Sequence, residues 1–379
     1  MVRVRGKAYV NEAAQVSAGK TGRRTESAAG RDVSTVRDVA RRAGVSASTV
    51  SRVMGGTYPV AAATRAKVLK AMRELDYVVN AHARALGGST NKTVAFVVDD
   101  VTGPFYAHIA RGVEEQASAE GRLCMLCTTH GDPQRVLAVV EMMREQRADA
   151  VIVVGGAWED KAYQDRMTHF AHALDRVGSR LVLVGRPPLG EGVPATVVDY
   201  DNEAGAFAMT THLLSAGHRR IAYLARVPGL STSTQRISGF TRAHELMGLT
   251  PDPALILDGE FTRAHGYRAA RELLASGADF SAVFAGTDMV AAGALQALRE
   301  GGVRVPEDVS VAGYDDIPVA IDVYPALTTV HVPHEELGRT AVRLALHRDE
   351  FPESQHQVLG THIVIRASTR GPGRPRETS

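Results

Sequence analysis

From Thr93 onward the chain alternates short apolar runs with stretches of helical periodicity, and this alternation restricts the fold more than any other feature. VAFVVDD begins at Val94, LCMLCTTH at Leu123, AVIVVGG at Ala150 and LVLVGR at Leu181. IAYLAR at Ile221, AVFAG at Ala282 and VSVAGYDD at Val309 continue the series. Between the first runs, 105–120 and 135–146 read as helices. Strand following helix in this way predicts parallel sheets with helices on both faces, and there are too many strands for one small sheet. Ligands of open parallel sheets sit outside the carboxyl ends of the strands. The residues in such places are Phe105 and Tyr106 after the first run, Trp158 after AVIVVGG, Phe261 after LILDGE, Thr287 and Asp288 after AVFAG, and Asp315 after VSVAGY. Arg236 is expected in the loop that leads into the helix at RISGF. Asp201 and Asp288 read as helix N-caps rather than ligands.

The 379 residues are enough for two or three domains. The net charge of +2 conceals a division. Residues 1–90 hold 16 Lys+Arg and 6 Asp+Glu, a balance of +10, whereas the rest holds 28 and 36, a balance of −8. A basic head on an acidic body predicts a polyanionic partner for the head alone. The two cysteines, Cys124 and Cys127, form a CxxC spacing. On a strand, residues three apart face opposite ways, so their sulfurs are expected to diverge as two buried thiols in a reducing setting. The opening residues, MVRVRGKAYV, lack the apolar core of a secretory signal, and no run reaches the length of a membrane span. A cytoplasmic protein with no membrane association is expected. No P-loop, GxSxG, HExxH or GxGxxG stands in a usable context, so neither catalytic residues nor a metal nor a cofactor is predicted.

Residues 1–33 read as a disordered basic arm, and 371–379 as a disordered tail whose Gly-Arg-Pro only faintly suggests a minor-groove hook. Between them the texture first changes at Thr35. Val36, Val39, Ala40 and Ala43 recur at i, i+3, i+4, i+7 behind a candidate cap, Thr35, with Asp38 three residues later. Gly44 stops this helix, Val45 reads as a buried turn residue, and Ser46 caps a second helix with Val50 and Val53 inward. A third helix, 62–75, is expected to turn Val68, Leu69, Met72 and Leu75 inward. Two helices joined at a glycine and braced by a third form a helix-turn-helix, assigned to 34–79. The next stretch, 80–91, reads as a hinge: Asn80 caps an alanine-rich run, 81–86, that Gly87-Gly88 closes. That run is far shorter than the ~12–15 residues an isolated helix requires, so it is expected to be helical only when a partner holds it.

TVRDVARRAGVSASTVSRVM followed by TRAKVLKAMRELDYVVNAHARAL resembles the DNA-binding headpiece and hinge of the LacI/GalR family of bacterial transcription factors. The resemblance extends through GPFY at 103–106, HLLSAGHRRIAYLA at 212–225, RISGF at 236–240, GTDMVAAGAL at 286–295, VPEDVSVAGYDDIP at 305–318 and PALTTVHVP at 325–333. It implies an all-α helix-turn-helix headpiece plus an α/β two-lobed periplasmic-binding-protein-like domain over 92–370. The lobes would meet near 190, and the C-terminal segment would cross back and return.

The second helix of such a headpiece lies in the major groove, so its outward residues Ala47, Ser48, Ser51 and Arg52 face bases. Arg52 can bond guanine at O6 and N7 together, whereas Ala47 can only touch a thymine methyl. Thr35, Thr49, Ser51 and the pair Arg41–Arg42 suit phosphates. By family position Leu86, with Ala83 beside it and Asn80 and Arg84 flanking, matches the wedge levered between base pairs from the minor groove. Two wedges imply a homodimer on palindromic double-stranded operator DNA. Arg236, Phe261, Thr287 and Asp315 match residues lining an effector cleft, with Phe105, Tyr106 and Trp158 joining from the strand-end argument. The expected effector is a sugar or sugar derivative, bonded by Arg236 and Asp315 with an aromatic stacked on its ring. Thr287 and Gly103 stand where relatives commonly carry Asn, so no relative's effector can be carried over. A cytoplasmic sugar-binding protein or a sugar-active enzyme on the same body are the competing readings, and both leave 35–86 unexplained.

Overall fold

The computed structural model describes residues 34–55, 59–77, 92–348, 350 and 356–370. One compact unit falls within Met1–Asn80 and a second within Ala81–Ser379. The arm, the hinge with Asn80, Ala83, Arg84 and Leu86, and the tail lie outside the described residues.

The first unit is built from α1 (Val36–Ala43), α2 (Ala47–Gly55) and α3 (Ala62–Glu74). Thr35 closes a reciprocal capping box: the Asp38 amide donates to Thr35 Oγ1 at 3.4 Å, and the Thr35 amide donates to Asp38 Oδ2 at 3.0 Å. Gly44 ends α1 in the left-handed region at φ 66°. The Thr49 amide then donates to Ser46 Oγ at 3.2 Å, starting α2. Val39, Ala40, Val50, Val53, Val68 and Ala71 make the small core, with Val45 partly buried against it. Leu69 departs from expectation, being 39% exposed while Ala71 is buried. Val68, Ala71, Met72 and Leu75 follow helical spacing, and Leu69 stands one residue's rotation off that face. Because so small a core holds the unit, Thr35→Ala is expected to cost about 1 kcal/mol of headpiece stability. The headpiece transition in thermal denaturation of the full-length protein measures it, and an unchanged midpoint would show the cap to be dispensable.

The second unit has two parallel sheets. The first runs in the order His356–Leu359, Ala195–Tyr200, Arg180–Val184, Ala150–Val154, Thr93–Val98, Leu123–Thr128. The second runs Ile256–Asp258, Ile221–Arg226, Ala282–Ala285, Ser310–Ala312. An antiparallel pair, Thr329–His331 with His362–Val364, lies beside the second. The chain passes between lobes after Tyr200, again after His331 into the helix His334–Leu346, and back between Leu359 and His362. The lobes therefore divide near 201 and not near 190, because Ala195–Tyr200 pairs with the first sheet in the register Val184↔Val198. Helix His334–Leu346 joins the first lobe by packing on Pro104–Ala119. Gly112 and Gly338 lie at the crossing, where a Cβ on either would strike the other helix's backbone.

Cys124 and Cys127 sit on the edge strand and pack against the clusters on opposite faces of the sheet, as unpaired thiols. The edge position leaves them half-buried rather than buried, and burial pushes the Cys124 thiol up to about 11. Among the described residues no helix is long and apolar enough to cross a membrane.

Candidate functional site

The carboxyl ends of both sheets open onto one cavity of about 260 Å³ between the lobes. Its second-lobe wall is organised by Arg236, which is 1% exposed. Arg236 belongs to the second turn of the helix Ser231–Leu246 and not to the preceding loop, since that helix begins immediately after Leu230. Its guanidinium donates through Nε to Asn202 Oδ1 at 2.9 Å, through Nη2 to Asp315 Oδ1 at 3.1 Å and to Tyr200 Oη at 3.4 Å, and through Nη1 to the Gly286 carbonyl. The ring of Tyr314 lies under the guanidinium carbon at 3.7 Å. A cation so buried is tolerable because every one of its nitrogens has an acceptor and its charge has a counterion.

Asp315 reaches this position at φ 108°, a backbone conformation that side chains rarely adopt, and such strain clusters at functional sites. Burial pushes its carboxyl up to about 6, with Arg236 drawing it back. Thr287 is the N-cap of the helix Asp288–Glu300, accepting from the Val290 amide at 3.4 Å. Asp288, expected to be that cap, is instead wholly buried, because its carboxylate accepts from the Ile317 amide at 2.9 Å and from Thr329 Oγ1. It pins the loop that carries Asp315. Asp201 does cap its helix, accepting from the Ala204 amide at 2.8 Å.

The first-lobe wall is aromatic and acidic. Phe105 and Tyr106 enter on the first turn of Pro104–Ala119, their rings edge-to-face at 5.3 Å. Tyr106 Oη donates to Asp99 Oδ2 at 3.3 Å, and Thr129 Oγ1 donates to Asp99 Oδ1 at 2.9 Å. Behind Phe105 lies His334, its ring edge-on at 5.0 Å, whose titration burial pushes down to about 3. At the mouth stands Trp158, 42% exposed. There the lobes are joined by main chain: Ser231 N donates to the Ala157 carbonyl at 2.9 Å and Glu159 N to the Gly229 carbonyl at 3.0 Å. Ala157 N in turn donates to Ser231 Oγ at 3.0 Å.

All seven residues proposed for the cleft, Phe105, Tyr106, Trp158, Arg236, Phe261, Thr287 and Asp315, line this one cavity. Asp99, Tyr200, Leu230, Thr232 and Met289 line it too and were not singled out, and Asn202 was missed as a partner of Arg236. Tyr200 ends the strand Ala195–Tyr200 and Asn202 stands just beyond it, so the strand-end rule applies to both. Asp99 was visible as the end of VAFVVDD.

On the first unit, Ala47, Ser48, Ser51 and Arg52 are exposed along one side of α2, while Val50 and Val53 are buried on the other. The hydroxyls of Ser48 and Thr49 both meet Ser46 Oγ, at 2.8 and 2.9 Å. Arg41 and Arg42 have carboxylate partners of their own, Asp38 at 3.3 Å and Glu74 at 2.6 Å. Arg42 thus braces α1 against α3, a role not apparent from its spacing.

A family model for bacterial regulatory proteins of the lacI family matches residues 35–80, and one for a periplasmic binding protein-like domain matches 210–369. The HTH-type transcriptional repressor PurR of Haemophilus influenzae (strain PittEE) is 33% identical over 343 residues, 89% of this chain and 99% of its own. The chain belongs to the LacI family. Among solved structures, a transcriptional regulator CelR in complex with cellobiose matches with TM-score 0.64 and 36% identity, covering 88% of this chain and 99% of its own. The lac repressor dimer bound to operator and the anti-inducer ONPF matches with TM-score 0.76 and 25% identity, covering 89% and 99%. This LacI-family member is accordingly a DNA-binding transcriptional repressor whose α/β body binds a small-molecule effector.

Proposed function

We propose that the protein is a cytoplasmic homodimer that reads a palindromic operator through α2 and is switched by a neutral sugar or sugar derivative held at Arg236 and Asp315. The observation that carries the effector class is the buried ion pair of those two residues at 3.1 Å, set in an aromatic-walled cavity. Because the pair is internally neutral, it offers both donors and acceptors to a hydroxylated ring without demanding a charged one. Asp99 on the facing lobe adds a further acceptor. Cellobiose in the CelR structure is a neutral sugar, which agrees with this class.

A ligand touching Arg236 on one lobe and Tyr106 on the other bridges the lobes and adds to the main-chain pairing of 157–159 with 229–231. It therefore favours the closed body, and closure alters how two hinges approach each other in a dimer. Coupling of this kind amounts to about 1–3 kcal/mol and is reciprocal, so operator must change sugar affinity by the same factor. Selection of bound fragments from random DNA, with and without a panel of sugars, tests the reading. Enrichment of one palindrome, altered by one sugar class, is expected. Operator binding that ignores every sugar while a non-sugar metabolite shifts it would overturn the effector class.

Leu86 is assigned the wedge. Leu86→Ala is expected to weaken operator binding by at least about tenfold, because the kinked duplex that admits extra contact is lost. Its thermal unfolding should match the parent protein, and operator affinity equal to the parent's would remove the wedge.

A further inference from the structure

Beyond Trp158 the cleft leads into a second cavity of about 640 Å³, and Trp158 and Gly131 line both. The inner cavity alone falls below the roughly 300–1,000 Å³ usual for small-molecule sites, whereas the two together lie within that range. The outer cavity has an apolar floor, Leu137 and Tyr163, and a rim of Gln134, Glu159, Asp160 and Arg166.

We propose that this outer cavity is a second saccharide subsite, so that the effector is a di- or longer saccharide whose linkage passes between Trp158 and Gly131. The inference rests on the carbohydrate reading above and extends it from one ring to two.

Three observations carry it. Trp158 is the chain's one tryptophan, yet it is 42% exposed at the junction. An indole held in water forgoes the burial that so large an apolar surface would otherwise gain, so a site that keeps it there offers a stacking face. Its backbone is fixed on both sides: the Trp158 carbonyl accepts from Asp160 N at 2.8 Å, Glu159 N donates to the Gly229 carbonyl at 3.0 Å, and Trp158 bridges Leu230 antiparallel across the lobes. The platform is thus pre-set, which lowers the ordering cost of binding against it. Gly131, which also lines both cavities, contributes bare backbone, with nothing within 4 Å of where a Cβ would stand, leaving a gap for a chain to pass.

The rim chemistry selects the occupant. An amide, two carboxylates and a guanidinium offer donors and acceptors of both signs around an apolar floor. A neutral ring with hydroxyls on its edge and C–H groups on its face can pair with all of them. A purely apolar extension would make no use of these rim groups, although Asp160 and Glu159 keep acceptor capacity beyond the Tyr163 amide and the Thr234 hydroxyl that they already bond at 2.8 and 3.3 Å. A strongly anionic one would face Glu159 and Asp160. The floor is also anchored from behind, since Arg186 Nη1 donates to Tyr163 Oη at 3.0 Å.

The test uses the full-length protein and matched series: glucose, cellobiose and cellotriose; maltose and maltotriose; xylose, xylobiose and xylotriose. Calorimetry gives affinities, and emission of the single tryptophan with acrylamide quenching reports its exposure. In the series that binds, the disaccharide is expected to bind at least about tenfold tighter than its monosaccharide, from one more stacked ring and its rim hydrogen bonds. Quenching should fall with the disaccharide and stay high with the monosaccharide. Trp158→Ala, Gln134→Ala and Arg166→Ala should each lower the ratio of disaccharide to monosaccharide affinity. The latter two are exposed helix-surface changes that a failure to fold would not confuse. Equal affinities for one ring and two, with Trp158 quenched alike in both complexes, would overturn the outer subsite while leaving the carbohydrate reading intact. Absence of binding by every saccharide, of any length, would overturn both.

Discussion

Arg236→Met is expected to lower the unfolding free energy of the α/β body by about 3–5 kcal/mol, a large share of the 5–15 kcal/mol that holds a typical domain. The reason is what the substitution leaves behind. Asp315 is 4% exposed and accepts no other ion pair among the described residues, so its carboxylate would stay buried without a counterion. Asn202 Oδ1 and the Gly286 carbonyl would lose their donor as well. Replacing both charges, as Arg236→Met with Asp315→Leu, should recover part of the loss, because a buried pair exchanged for apolar groups is often close to neutral. A double-mutant cycle by chemical denaturation measures the coupling. Additive effects of the two single changes would show that the pair does not act as a unit.

The same change has a pH signature. Burial raises the Asp315 carboxyl to about 6 from an ordinary 3.8, so between those values the folded state holds a proton that the unfolded chain has released. The favourable contribution of this group is complete below about 3.8 and is lost as pH rises through about 6. Removing Arg236 takes away the influence that draws the carboxyl down, so the neutral form becomes favoured over a wider range. The deficit of Arg236→Met relative to the parent protein should therefore be smaller at pH 5 than at pH 7. A deficit independent of pH would mean that the lost interaction is not with a titrating carboxylate. His334 is held near 3 mainly by burial, with Arg236 a lesser cause, so loss of Arg236 would raise its titration and lessen the deficit at low pH in the same direction.

What could be read in advance follows from the range over which each signal acts. The headpiece was legible because its core repeats at helical spacing over eight to thirteen residues and its caps are local. Most strands were legible because a strand buried on both faces is a continuous apolar run, as in Ala150–Val154. The strand Ala195–Tyr200 gives a weaker signal because it follows a glycine- and proline-bearing loop and ends in Asp199 and Tyr200. His356–Leu359 carries no such signal. It is an edge strand with alternate exposure, and its place depends on the chain's return from the other lobe. The cleft shows the same contrast. A positional rule put Phe105, Thr287 and Asp315 at strand ends, and each lines the cavity. The bond between Arg236 and Asp315 joins residues 79 apart, and no local pattern states such a pairing.

Arg52→Ala is expected to weaken operator binding by about 5- to 150-fold, the 1–3 kcal/mol of one bidentate base contact. The neighbours explain why so much should fall on one residue. On the exposed side of α2, Ala47 offers only a methyl group, and Ser48 offers a hydroxyl that meets Ser46 at 2.8 Å. Ser51 is equally short, so Arg52 is the one side chain of this face long enough to span two acceptors on a guanine edge. Stability should change by less than about 0.5 kcal/mol, since the residue lies on the solvent side of a helix whose core contacts are Val50 and Val53. The base at one half-site position should become indifferent in a selection from random DNA, while the remaining positions keep their preference. A phosphate contact would behave otherwise, lowering affinity for all sequences alike and flattening the salt dependence. A variant that weakens uniformly and keeps its preference at every position would move Arg52 from base reading to backbone positioning. Specificity would then have to come from the deformability of the duplex at the hinge rather than from α2.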